Sequence, residues 1–76
     1  MIYIDVRTKE EYDSDHKDDA LHHDIIDMMQ GIYPNLEKDT EITLYCESGN
    51  RAMMAKSMLE SVGFTHITDG GGINNI

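Results

Sequence analysis

A β-branched, apolar run, Ile42-Thr43-Leu44-Tyr45, leads straight into Cys46, and a helical pattern starts only a few residues later. Ala52, Ala55, Met58, Leu59 and Val62 recur at helical spacing on one face, with Lys56, Ser57 and Glu60 on the wet face. A strand that feeds a helix across so short a loop is half of a βα unit, and βα units build parallel sheets. The loop between them, Cys46-Glu47-Ser48-Gly49-Asn50-Arg51, holds the chain's single cysteine. A thiol at that place faces unpaired backbone N–H groups and the positive end of a helix dipole, and both favour the thiolate. Gly49 allows a turn with positive φ, and Asn50 tolerates one. Arg51 adds a fixed positive charge. The stretch reads as a cradle for an anionic sulfur or an oxyanion bound to it. The competing reading is a buried structural cysteine ahead of a helix.

The rest of the chain repeats the alternation. Ile2 to Val6 is a near-continuously apolar strand. Thr8 and Glu11 form a capping box that opens a short helix. Ala20-Leu21-His22-His23 is a brief strand. Asp24 caps a helix through Ile25, Ile26, Met28 and Met29, read as core packing, that ends near Gly31. Ile32 to Glu41, with Pro34, is a connection. Arg51 to Val62 is the longest helix, with Gly63 as its terminator. Phe64 to Thr68 is a further strand, and Gly70-Gly71-Gly72 supplies a close backbone approach to the cysteine loop. The glycines lack the spacing of a dinucleotide fingerprint. Ile73 to Ile76 starts a last helix. The expected fold is α/β: one domain over residues 1–76, a small, mostly parallel central sheet with helices on both faces. Strands near 2–6, 42–45 and 65–68 end together, with Cys46 at that shared edge. Their order stays open.

A 76-residue chain with one cysteine has no internal disulfide to help it, and its Cys and His residues lack zinc spacing. The acidic run Asp13 to Asp19 fails as a calcium loop, because Lys17 and Asp18 fall where a ligand and a glycine belong. His22 and His23, adjacent on a strand, point to opposite faces and share no metal. Neither a metal nor a cofactor is implied. A net charge of −9 argues against nucleic acid and anionic membranes as partners. No apolar run is long enough to span a bilayer. The chain opens almost directly on a strand without a signal peptide, which suggests a processed or trimmed chain or else its natural start, and it is expected to be a soluble monomer.

Three stretches resemble the rhodanese family of sulfurtransferases. The first is the cysteine loop with its ending Gly49-Asn50-Arg51-Ala52. The second is Ile4-Asp5-Val6-Arg7 followed by Thr8-Lys9-Glu10-Glu11-Tyr12. The third is Gly63-Phe64, a short strand and the glycine run. They occur in family order, and the short, single-domain thiosulfate sulfurtransferases of the phage-shock group look most similar. Between the second and third stretches the family usually has Gly-His-Ile-x-Gly-Ala. This chain keeps His16 and Ala20 but places Asp15, Lys17 and Asp19 at the other positions. The resemblance implies that Cys46 attacks the outer sulfur of thiosulfate or another sulfane-sulfur donor and becomes a persulfide. Cyanide, a thiol or a thioredoxin-like dithiol then takes the sulfur. Glu47, Ser48, Gly49, Asn50 and Arg51 would form the substrate-binding loop, and Asp5 and Arg7 would brace it. The compartment would be periplasmic by resemblance, or cytoplasmic. The alternatives are a persulfide carrier or interaction module with little small-molecule turnover, and a cysteine-dependent phosphatase or arsenate reductase. The loop separates Cys46 from Arg51 by one residue fewer than phosphate loops of that kind.

Overall fold

The computed structural model describes residues 1–76. The chain runs β1 (Ile2–Asp5), α1 (Lys9–Ser14), β2 (Leu21–His22), α2 (Ile25–Met29), β3 (Ile42–Cys46), α3 (Asn50–Ser61) and β4 (Ile67–Gly72), then a 3-10 turn at Ile73–Asn75. The four strands form one all-parallel sheet in the order β2-β1-β3-β4. β1 and β3 are in register from Ile2 opposite Ile42 to Asp5 opposite Tyr45. Right-handed crossovers put α1 on one face of such a sheet and α2 and α3 on the other. All strand C-termini lie along one edge, and Cys46 is the last residue of central strand β3.

Strand alternation sorts the core. Ile4, Ile42, Leu44 and Cys46 pack with Ile25 and Met28 of α2 and with Ala52, Ala55 and Leu59 of α3. The small alanines bring α3 close to the sheet. On the other face lie Tyr3, Asp5, Thr43 and Tyr45. Arg7 covers the Tyr45 ring, Lys17 sits over Tyr3, and Thr43 Oγ1 donates to Met1 Sδ. Thr8 caps α1 in a complete capping box, and the Asp24 carboxylate accepts from Ile26 N–H at the start of α2.

Three expectations are corrected. β4 starts at Ile67 and absorbs all three glycines, because Gly70 and Gly72 lie against β3 and its loop. A Cβ on Gly70 would meet Leu44 O at 2.8 Å. Of the four apolar residues of α2, Ile26 and Met29 are exposed; a five-residue helix turns only one stripe, Ile25 and Met28, to the core. α3 begins at Asn50, so the positive φ belongs to Gly49 alone.

Candidate functional site

Gly49 is the N-cap of α3 at φ 101°, and it carries no side chain to bind the orphan N–H groups of the first turn. The Cys46 sulfur takes that role. Gly49 N–H donates to Sγ at 2.9 Å, and Ala52 N–H donates to it at 3.4 Å. Negative charge on the sulfur is therefore met by two backbone donors and the positive end of a twelve-residue helix. Cys46 itself is 0% exposed and belongs to the hydrophobic core. A reactant reaches Sγ only when the atoms covering it move aside. Glu47, Ser48 and Asn50 are exposed along the outer side of the loop.

The glycine strand forms the loop's inner wall. Gly72 pairs with Cys46, and a Cβ at Gly72 would stand 2.5 Å from Glu47 O. A Cβ on Gly49 would stand 3.5 Å from Gly71 Cα. The glycine run does make the close approach its composition suggests.

Asp5 and Arg7 form a buried bidentate pair: Nε to Oδ1 at 3.0 Å and Nη2 to Oδ2 at 2.8 Å. Arg7 reaches from there to the cysteine loop, with Nη1 on Glu47 Oε1 at 3.0 Å, and to the Asp15 carbonyl through Nη2 at 2.6 Å. The hydrogen bonds to Asp5 raise the Arg7 pKa further above its ordinary value, against the opposing effect of burial. Beneath it, burial pushes the Tyr45 hydroxyl up to about 12, and its oxygen accepts from Lys17 N–H.

Arg51 is engaged by α1. Its Nη1 and Nη2 bind Glu11 Oε1 and Oε2 at 2.7 and 3.0 Å, which joins the first turn of α3 to α1. The Arg51 hydrogen bonds hold Glu11 down to about 2. The Arg51 pKa is raised, chiefly by its hydrogen bonds to Glu11, with a smaller attraction from Cys46. Between these two pairs opens a wholly polar cleft of about 270 Å³, lined by Arg7, Glu10, Glu11, Ser14, Asp15 and Glu47.

All eight residues singled out in the sequence thus lie in or against one loop. Two were missed. Ala52, the third residue of α3, was visible through the rule that N-cap acceptors bind that N–H. Glu11 was read only as a capping-box residue; its partner is 40 positions away in sequence. No cluster of three or more His, Cys, Asp or Glu side chains is arranged to hold a metal, and no helix is long and apolar enough to cross a membrane.

A model of the rhodanese-like domain matches residues 1–74. The thiosulfate sulfurtransferase PspE of Escherichia coli is 29% identical over 97% of this chain and 72% of its own length. A probable molybdopterin-synthase adenylyltransferase of Porphyra purpurea is 35% identical over 97% of this chain but only 20% of its own length. Among solved structures, an E. coli rhodanese with anions superposes with a TM-score of 0.88 at 29% identity, covering 99% of this chain and 89% of that one. A human single-domain sulfurtransferase superposes at 0.78 and 19% identity, over 92% and 75%, a likeness of fold.

Proposed function

This chain belongs to the rhodanese-like domain family, and from that premise we propose that it is a sulfurtransferase working through a persulfide on Cys46. In the first half-reaction the Cys46 thiolate attacks the outer sulfur of thiosulfate or another sulfane-sulfur donor. The donor's S–S bond breaks, and sulfite leaves with the bonding pair when thiosulfate is used. In the second, cyanide, a thiol or a thioredoxin-like dithiol attacks that outer sulfur, and the Cys46 thiolate is restored. Splitting the transfer through a covalent intermediate gives ping-pong kinetics. Backbone N–H groups of the loop offset the charge on sulfur as an oxyanion hole does. Asp5 and Arg7 act as positioning residues: they fix Glu47, and with it the loop.

The observation that carries this reading is the Cys46 sulfur acting as cap of α3, with donors at 2.9 and 3.4 Å. The full burial of Cys46 supports the second reading, a carrier whose sulfur is uncovered by one protein partner. A phosphatase or arsenate reductase is disfavoured, because Arg51 is engaged by Glu11.

The test is the intact mass after thiosulfate and then cyanide. Wild type should gain one sulfur atom and release it as thiocyanate, and Cys46→Ser should do neither. A persulfide that discharges to a protein dithiol but turns over thiosulfate slowly selects the carrier. Folded wild-type protein that takes sulfur from no sulfane donor refutes both.

A further inference from the structure

Two guanidinium groups flank the cysteine loop, and both are already engaged by carboxylates. Arg7 spends Nε and Nη2 on Asp5, and Nη1 on Glu47, with Asp15 Oδ1 at 3.9 Å. Arg51 meets Glu11 fork to fork. The cleft between them is walled by four carboxylates, those of Glu10, Glu11, Asp15 and Glu47. The remaining basic side chains are engaged elsewhere: Lys9 with Asp13, Lys56 with Glu60, Lys17 over Tyr3 and Lys38 over Phe64. An anion approaching Glu47 meets four carboxylates against the single guanidinium of Arg7, which Asp5 and Glu47 already engage.

We infer that Glu47 is a specificity residue that turns this site away from dianionic thiosulfate and toward a persulfide carried on a thiol without net negative charge. The inference rests on the sulfurtransferase reading above and narrows its donor. The step balances: Cys46–S⁻ attacks the outer sulfur of R–S–SH, a new S–S bond forms as the old one breaks, and R–S⁻ leaves with the electron pair. The outer sulfur keeps its proton. Such a donor needs no guanidinium, and the N–H groups of Gly49 and Ala52 serve the charge on Cys46.

The experiment compares loading of Cys46 by two persulfides matched in chemistry and opposite in charge, 2-aminoethyl persulfide and 2-carboxyethyl persulfide, with thiosulfate alongside. The aminoethyl donor should load about tenfold faster at low salt, and the ratio should shrink as salt screens the cleft. Glu47→Gln should reduce the ratio and speed thiosulfate loading; the side chain is 56% exposed, and glutamine keeps an oxygen acceptor for Arg7 Nη1. A salt-independent ratio near one, a preference for the carboxyethyl donor, or an unchanged ratio in Glu47→Gln overturns the inference and leaves the sulfurtransferase reading standing. Failure of all three donors to load folded wild type removes both.

Discussion

Complete burial of Cys46 sets its reactivity apart from that of an ordinary surface thiol. Reagents reach it only through opening of the loop, so size should matter more than intrinsic thiol reactivity. Iodoacetamide should modify the native protein more than about tenfold faster, relative to free cysteine, than a bulky aromatic disulfide does. Equal relative rates would mean that the sulfur is open in solution. A second single-residue effect sits in the acidic run. Asp19 is the one non-glycine residue with positive φ, at 67°, and it occupies a position where the resembling family has glycine. Left-handed backbone costs an L-residue about 1 kcal/mol, less for Asp than for most, and glycine nothing. Asp19→Gly should therefore raise stability by about 0.5 kcal/mol despite the freer unfolded chain, measured by urea denaturation. A loss would show that the Asp19 side chain contributes more than its backbone costs.

Elements meet at the loop from three directions, and two of the contacts are testable. β4 leans on the loop through Gly72, where a Cβ would stand 2.5 Å from Glu47 O. Backbone cannot yield as a flexible side chain does, so Gly72→Ala should cost about 2 kcal/mol, in the range of overpacked sites, and reduce Cys46 loading together with stability. Loading kept at the wild-type rate would show that the loop moves without harm. α1 and α3 are joined by Glu11 and Arg51. Glu11 has a folded pKa of about 2, below its ordinary value of 4.5. A depressed carboxylate stabilises the fold above its unfolded pKa, and that contribution is lost as pH falls from about 5 toward 2. The pair is about one-third exposed, so solvent screening limits it to about 1 kcal/mol. Glu11→Gln should lower stability at pH 7 and flatten its fall between pH 5 and 2; an unchanged acid limb would show the pair to be idle. The same elements mark how far local pattern reaches. The capping box at Thr8, the Asp24 cap and the helix after Gly49 rest on neighbours in sequence and were legible. The extent of β4 was not, since glycine disfavours strands and only the nearness of the β3 backbone makes it necessary. The Glu11–Arg51 pair was hidden for a similar reason: it depends on which crossover lands beside which.

At the scale of the whole molecule the charge balance is lopsided in an orderly way. Six basic residues face fifteen acidic ones. Every basic residue is engaged, four in ion pairs and two over aromatic rings. The net value of −9 is read from the sequence, but only the fold shows where each basic side chain is engaged. The parallel sheet, the shared C-terminal edge and the position of Cys46 were legible because periodicity and βα alternation leave few topologies; strand order and the partners of the two arginines needed the third dimension. The excess acids lie on a small surface and repel one another, a cost present in the folded state and relieved when the chain expands. Salt screens that repulsion and also weakens the exposed ion pairs Lys9–Asp13 and Lys56–Glu60, which contribute little in any case. Arg7 with Asp5 is buried and feels salt far less. Repulsion should dominate, so raising sodium chloride to about 0.5 M, where the Debye length falls to about 4 Å, should increase stability in urea by about 1 kcal/mol. Guanidinium chloride would hide the effect, being itself a salt. A decrease with salt would mean that ion pairs outweigh repulsion.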